Sequence, residues 1–352
     1  MNPAFPLGKL PPEYLAKLFQ QHATPNRRVV LGPGIGHDAA VISFCDGSED
    51  EARLLVAKTD PITFASDQIG WYAVHVNAND VACTGAVPRW FLATLLLPQE
   101  GTGRELVDDI FDQIATTCHS LDVALVGGHT EITHGFDRPV VVGFMLGDVP
   151  AGDLVRPDGA RPGDELILTK GIAVEGTAII AREKHHGLAA LDPALLDRSR
   201  GFLRHPGISV VRDAAIAVGA GEVHAMHDPT EGGLAMGLWE LAEAAAVGLV
   251  VRRDAIPIFQ ETEVLCEALD LDPLGLIASG ALLMAVAADD AAAISRALEE
   301  AGITAARIGR VVERAEGRVL RESGEDRPLP TFERDEITRL FEERGSERAR
   351  AR

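Results

Sequence analysis

The stretch 69–88, IGWYAVHVNANDVACTGAVP, constrains this chain more than any other. Apolar and small residues recur at helical spacing through Ala73, Val76, Val81 and Ala82, while Asn77, Asn79 and Asp80 share another face. The spacing predicts a long helix that Gly85 and Pro88 stop. Two Asn and one Asp within four residues of a mostly apolar helix are costly to bury, because an unpaired buried carboxylate sooner takes up a proton. A cation or a polar ligand would compensate them, and a helix end turned to water would leave them solvated. Both readings stand on this segment alone.

With 352 residues the chain is long for one domain and suits two. Hydrophobic residues at 46%, charged ones at 24%, 35 Gly and 20 Pro make a globular composition rich in turns, neither disordered nor fibrous. A net charge of −20 speaks against binding nucleic acid through its phosphates, which needs a basic face. An anionic ligand would have to be met by metal ions or helix N-termini. Cys45, Cys83, Cys118 and Cys266 form no CxxC pair, which is cytosolic usage without a disulfide framework or zinc site. No apolar run approaches the about 20 residues that span a bilayer, and MNPAFPLGKLPPEY has no signal pattern. The expected location is the cytoplasm, with neither a membrane nor a nucleic-acid partner.

Four stretches are expected to carry ligand groups. In 29–42, VVLGPGIGHDAAVI, Gly32, Gly34 and Gly36 separate two apolar runs, either as a hairpin turn or as a loop whose amides converge on an anion. Arg53 to Lys58 reads as a strand running into Lys58-Thr59-Asp60-Pro61, and Val123 to Val126 as one closing on Gly127-Gly128-His129-Thr130-Glu131. Between these lie the long helix, a strand at Trp90 to Leu97 and a helix at Arg104 to Ser120, and Val140 to Leu146 returns as a buried strand. After a Gly/Pro/Asp-rich linker at 150–162, the second half opens with a strand at Glu165 to Thr169 and a helix at Glu175 to Lys184. There, Val223 to Met226 is a strand ending in His227-Asp228-Pro229-Thr230-Glu231-Gly232-Gly233, and a helix follows from Leu234 to Ala246, an arrangement suited to phosphate. The expected division is an N-terminal domain over 1–150, a C-terminal α+β domain over 151–330 and a charged, solvated tail over 331–352, already charge-dense from Glu322. An arm with a short helix at Glu13 to Gln21 precedes the first domain.

Six motifs occur here in one order: Gly36-His37-Asp38-Ala39-Ala40, Thr59-Asp60, Asn79-Asp80-Val81-Ala82 with Gly85-Ala86-Val87-Pro88, Gly127-Gly128-His129-Thr130, Gly163-Asp164 running to Thr169-Lys170, and His227 to Gly233. In this the chain resembles the aminoimidazole ribonucleotide synthetase (PurM-like) superfamily over roughly residues 28–315. That superfamily includes selenophosphate synthetase, thiamine-monophosphate kinase and the hydrogenase-maturation dehydratase. The resemblance implies an N-terminal domain with a mixed sheet that dimerises through its strands, a C-terminal α+β domain, and ATP held with magnesium on the acidic loops. It implies Asp38, Asp60, Asp80 and Asp228 as metal ligands, and Gly34, Gly36, His37, Lys58, Asn79, Gly128, Thr130, Lys170, Thr230 and Gly232 around the nucleotide. His129 and Glu131 would sit where a general base for a small-molecule acceptor is needed, unless His129 only bonds within its loop.

The match is nearest to the maturation dehydratase, through Asp228-Pro229-Thr230 with Gly232-Gly233 and Asp272-Pro273-Leu274 with Gly280. Glu231 stands where that enzyme usually has Arg, and the sequence ends Ala349-Arg350-Ala351-Arg352 without its Pro-Arg-Ile-Cys. The expected function is ATP-driven phosphoryl transfer or dehydration on a free small molecule. The alternatives are a nucleotide-binding maturation protein without turnover and a small-molecule kinase of the thiamine-monophosphate type. Selenophosphate synthesis fits less well, because the arm has Lys9 but no Cys before Cys45.

Overall fold

In the first half of the chain, period-two burial along the strands makes one covered sheet face. Its elements are β1 (Val29–Leu31), β2 (Ala40–Ser43), β3 (Arg53–Ile62), α1 (Ile69–Ala82), β4 (Val87–Pro98), α2 (Arg104–Ser120), β5 (Ala124–Thr133) and β6 (Val140–Pro150). Leu54 and Val56 of β3, Phe91, Ala93, Leu95 and Leu97 of β4, and Val141 and Met145 of β6 are buried as alternate residues. The computed structural model describes residues 26–340 apart from 33, 45–52, 63–66 and 184–185, together with Glu13, Tyr14, Lys17 and Gln21. The expected arm helix falls largely outside these residues, as do 341–352.

The six strands run in the order β1-β2-β3-β6-β4-β5. β4 and β5 are parallel, joined through α2, and the other pairs are antiparallel, so the sheet is mixed. The glycine-rich stretch of 32–39 links the antiparallel β1 and β2, a hairpin. The long helix exists as α1, which buries every residue except Trp71, the property of a helix enclosed on all sides. It stops at Ala82, with the Cys83 amide donating to Asn79 and Gly85 at positive φ, and Pro88 is the second residue of β4 rather than the helix stop. α1 lies against β3, β6 and α2. Glycines set these approaches: a Cβ on Gly70 would stand 2.7 Å from the Ile110 carbonyl oxygen of α2, and a Cβ on Gly143 of β6 would run into the Asn77 amide and stand 2.9 Å from the Ala73 carbonyl oxygen.

The second half comprises β7 (Glu165–Thr169), α3 (Val174–Arg182), α4 (Pro193–Arg200), α5 (Val211–Ala220), β8 (Val223–His227), α6 (Gly233–Ala244), β9 (Gly248–Arg252), α7 (Gln260–Leu269), β10 (Leu283–Val286), α8 (Ala291–Glu300), β11 (Ala305–Val312), β12 (Arg318–Glu322) and β13 (Glu325–Pro328). Its seven-stranded sheet runs β13-β12-β9-β11-β7-β10-β8, with β12 and β9 parallel and the rest antiparallel. Leu166, Leu168, Leu234, Leu238, Leu249 and Leu283 are among the residues of its core. The chain thus separates into two compact α+β units, one around His37–Leu154 and one from Val155 onward that also takes in Gly34–Gly36. Among the described residues no helix is long and apolar enough to cross a membrane.

The reading of a charged, solvated tail is corrected for 322–340. Ser323 and Gly324, both at positive φ, turn β12 into β13, and Leu329, Asp335, Ile337 and Thr338 beyond them are buried. Phe332 lies where a Cβ on Gly275 would stand. Charge density hid these residues because the exposed Glu325, Asp326, Arg327, Glu333 and Arg334 stand among them.

Gly143→Ala is expected to destabilise the protein by about 1–3 kcal/mol through overpacking against α1. Gly152→Ala, with nothing within 4 Å of the added methyl, should stay within about 0.5 kcal/mol of wild type in urea unfolding.

Candidate functional site

In the first unit β3 does not end at Lys58, as the sequence reading had it. The Thr59 hydroxyl donates to the Gly143 carbonyl at 2.8 Å, and Asp60 and Pro61 go on pairing with Gly143 and Val142 of β6. Lys58 and Asp60, two apart on one strand, therefore face the same side. Asn77 Nδ2 donates to the Ala73 carbonyl at 2.8 Å and to the Asp60 carbonyl at 3.2 Å, tying α1 to β3. One turn further on, Asp80 meets Lys58: Nζ lies 2.9 Å from Asp80 Oδ2 and 3.5 Å from Asp60 Oδ2.

This cluster has too much negative charge for its one ammonium. Burial opposes the charge on Lys58, but Asp80, Asp60 and Asp38 outweigh it and hold the ammonium above the ordinary lysine range. Asp80, only 3% exposed, is pushed upward first by burial and further by Asp38 and Asp60, against the pull of Lys58. Three carboxylates supply hard oxygen donors and an excess of negative charge, which suits magnesium. Asn79 is buried in α1 next to Asp80 in the chain, and the ring Nδ1 of His37 donates to the Gly32 carbonyl at 2.8 Å, which fixes the residue preceding Asp38.

Gly128, His129, Thr130 and Glu131 are not on a strand-end turn. They lie inside β5, an exposed edge strand separated from β3 by β6 and β4. His129 Nε2 is 3.3 Å from Glu131 Oε2, with both side chains about half or more exposed, at 65% and 49%. In the single chain the pair is solvated, because the edge strand that carries it is uncovered. The paired glycines have a local cause: at φ 152° and 150° they carry β5 past β4, where a Cβ on Gly128 would collide with the Ala93 carbonyl.

In the second unit, Asp228 follows β8 and is fully buried. His227 Nε2 lies 2.7 Å from Glu240 Oε2 of α6. The loop after Asp228 closes through the Gly233 amide on the Thr230 carbonyl at 3.0 Å, with Gly232 and Gly233 at positive φ where α6 begins. The sequence reading gave the Gly232 amide to a phosphate. The structure gives it to a carboxylate of this chain, since Gly232 N–H donates to Asp335 Oδ2 at 2.7 Å and Ile337 N–H to Oδ1 at 2.9 Å. Burial pushes Asp335 up to about 7, against the amides of Ile337, Gly232 and Ile277 and with Glu231 adding to the rise.

Lys170 is likewise corrected. Its Nζ donates to the Ser209 and Gly280 carbonyls at 2.6 and 2.9 Å and lies 3.0 Å from Asp213 Oδ1, so its three donors have partners inside the protein. Burial pulls this ammonium below the ordinary lysine range, against Asp213. Lys170 holds the start of α3 and α5 in register with β10 and is not free for a phosphate. Gly36 groups with the second unit at φ 70°, where a Cβ would stand 2.8 Å from the Glu240 carbonyl oxygen, so close packing accounts for this glycine; Gly34 beside it is exposed. Asp213, Glu240 and Asp335 were not singled out in the sequence, since each is a lone acid whose partner is distant along the chain.

Two successive α+β units on mixed sheets, each presenting buried acids, define a two-domain class. Its family profiles match here: AIR synthase related protein, N-terminal domain, over residues 36–149, and AIR synthase related protein, C-terminal domain, over 161–322. The carbamoyl dehydratase HypE of Cupriavidus necator is 32% identical over 286 residues, covering 79% of this chain and 77% of that protein. The carbamoyl dehydratase HypE of Escherichia coli is 30% identical over 286 residues, covering 76% and 82%. A structure of the hydrogenase maturation protein HypE in complex with ATP superimposes with a TM-score of 0.70 at 26% identity, over 81% of this chain and 87% of that one. Thiamine-monophosphate kinase from Stenotrophomonas maltophilia shares the fold, with a TM-score of 0.66 at 22% identity over 89% and 96%. The chain belongs to the AIR synthase related, PurM-like superfamily, in its HypE branch.

A carboxyl whose native pKa lies above its unfolded value near 3.9 keeps, in the folded state, a proton that the unfolded chain has released. The contribution of Asp335 to stability should therefore fall as pH rises from about 4 toward about 7. The margin by which wild type exceeds Asp335→Asn in thermal midpoint is expected to narrow from pH 5 to pH 7. A margin that stays flat from pH 5 to pH 7 would mean that the three amides keep the carboxylate ionised.

Proposed function

We propose that this chain is an ATP-binding, magnesium-dependent enzyme that activates a free small-molecule acceptor by phosphoryl transfer or ATP-driven dehydration. The observation that carries this reading is the buried Asp80 beside Lys58, which also reaches toward Asp60, with Asp38 near enough to act on the charges of Asp80 and Lys58: oxygen donors whose negative charge exceeds its internal compensation. Asp38, Asp60 and Asp80 would hold magnesium in the first unit, and Asp228 is the metal ligand that the second unit would offer; bound magnesium would supply the charge that draws phosphate oxygens in. Catalysis of this kind is mainly positioning and charge neutralisation, so rigid supports matter. α1 supplies Asp80 from a fully enclosed helix, β3 supplies Asp60 from a paired strand, and the Thr230–Gly233 turn supports the loop that follows Asp228. Relatives at 30 and 32% identity are carbamoyl dehydratases, and a HypE neighbour binds ATP, which supports ATP as the nucleotide and a hydrogenase-maturation type of reaction.

Cys83, Cys118 and Cys266 are all buried, and burial pushes the Cys118 and Cys266 thiols up to about 12. Thiols of this kind are poor nucleophiles, which favours an acceptor that is not a cysteine among the described residues. Homodimerisation is also proposed. β5 is a ten-residue strand at the sheet's edge with Leu125, Val126 and Ile132 exposed, and a second copy would cover it. A second reading, a nucleotide-binding maturation protein without turnover, draws on Lys58, whose ammonium already partly fills the acidic cluster.

Binding to the native state alone should raise thermal stability, by about 2.7 kcal/mol at a hundredfold excess over the dissociation constant. Wild type is expected to show such a rise with ATP and magnesium together, reduced in Asp80→Asn and in Asp228→Asn. No rise at any ATP concentration would sink the enzyme reading, and a rise without acceptor-stimulated ATP hydrolysis would favour the second.

A further inference from the structure

Lys58 stands where the chemistry of the cluster calls for a metal ion. Its Nζ is 2.9 Å from Asp80 Oδ2, a side chain 4% exposed, and 3.5 Å from Asp60 Oδ2, with Asp38 near enough to act on its charge. The lysine cannot withdraw by a backbone shift, because Lys58 pairs with Met145 in the middle of the β3–β6 ladder and Asp80 is fixed on the enclosed α1. Magnesium binds carboxylate oxygens at about 2.0–2.1 Å. An ion at that distance from Asp80 Oδ2 would share the carboxylate with the ammonium, and the two cations would repel one another at close range. Three carboxylates against one ammonium leave an excess that a single divalent ion would neutralise.

We propose that Lys58 is a built-in counter-cation of the Asp38–Asp60–Asp80 cluster, one that holds the cluster together without metal and limits the divalent ions it accepts. The inference deepens the reading of these three residues as metal ligands and rests on it. Lys58 is a positioning residue in this account: the side chain acts on the carboxylates. With it in place, the shape of the site does not depend on a free ion, and divalent metal binds well only when a nucleotide supplies further oxygens or draws the ammonium onto a phosphate.

The test uses the full chain without nucleotide, so that it is independent of turnover. Thermal midpoints of wild type, Lys58→Met, Lys58→Arg and the double variant Lys58→Met/Asp80→Asn are measured in EDTA and across a magnesium titration, with manganese binding followed by calorimetry. Wild type and Lys58→Arg are expected to be nearly indifferent to metal alone. Lys58→Met should be less stable in EDTA, regain stability with magnesium, and bind manganese at least tenfold more tightly than wild type. The double variant should lose that rescue. If Lys58→Met is recovered only when purified in manganese, the metal has taken the lysine's place and the inference holds. If it is no more stable with metal than without, binds manganese no more tightly, or is recovered under neither condition, the inference is overturned. Wild type that fails to respond to ATP with magnesium while Lys58→Met still gains metal would sink the enzyme reading and leave Lys58's role standing.

Discussion

Asp80 brings a carboxylate into the interior on a helix that has no solvent face, and the arrangement of the first unit follows from meeting that charge. An ionised carboxylate so placed is tolerated only with a partner, and breaking such a pair costs about 3–5 kcal/mol. The partner, Lys58, has to come from a neighbouring element at a fixed height. That requires β3 to continue straight past Lys58 through Asp60, which the Thr59 hydroxyl and the pairing with β6 secure. It also requires α1 to be locked in rotation, which Asn77 does by donating to the Asp60 carbonyl. Residues that look like an independent list of polar groups in sequence thus form one chain of supports for a single ion pair.

Close approach is the second half of that constraint. A helix that carries Asp80 to a lysine on the sheet must sit low, and the strand beneath it is notched: Gly143 lies under Ala73 and Asn77, and Gly147 under Val81. The same device on the other side, Gly70 against Ile110, brings α2 up to α1, with the Gly70 amide donating to the Gln113 side chain at 2.9 Å. Four-residue spacing of Gly143 and Gly147 on β6 puts both on one face of the strand, and the residues they admit are about one and two helical turns apart. Packing and electrostatics are inseparable here, since a Cβ in either notch would lift Asp80 away from its counter-ion.

This explains what was legible in the sequence. The helix at 69–82 and the acids at 38, 60 and 80 were visible because an enclosed helix with polar residues is locally unusual, and the order of the turns pointed to two α+β domains. The partners were much harder to see. Lys58 and Asp80 are 22 positions apart, and Lys170 reads as a phosphate ligand until Asp213, Ser209 and Gly280 are seen around it. The His129–Glu131 stretch misled for a different reason. Two glycines before polar residues mark a turn in most contexts, whereas here they let an edge strand pass close to the Ala93 carbonyl.

Asp335 extends the same logic to the opposite sign of charge. The turn at Gly232 and Gly233 opens a helix and so points amides at one spot, the arrangement from which anion binding is ordinarily inferred. Free amides at a helix start are a need as much as an opportunity, and a buried carboxylate from 103 residues further along meets the one at Gly232. The residues after β13, which look like solvated charge in sequence, are therefore part of what gives the loop after Asp228 its shape. An internal cation sits among acids that suit a metal, and an internal carboxyl group sits on an amide that suits a phosphate. A site built this way keeps its geometry before any ligand arrives, and its ligands must compete with the protein's own charges, which favours those that bring several charged contacts at once over simple ions.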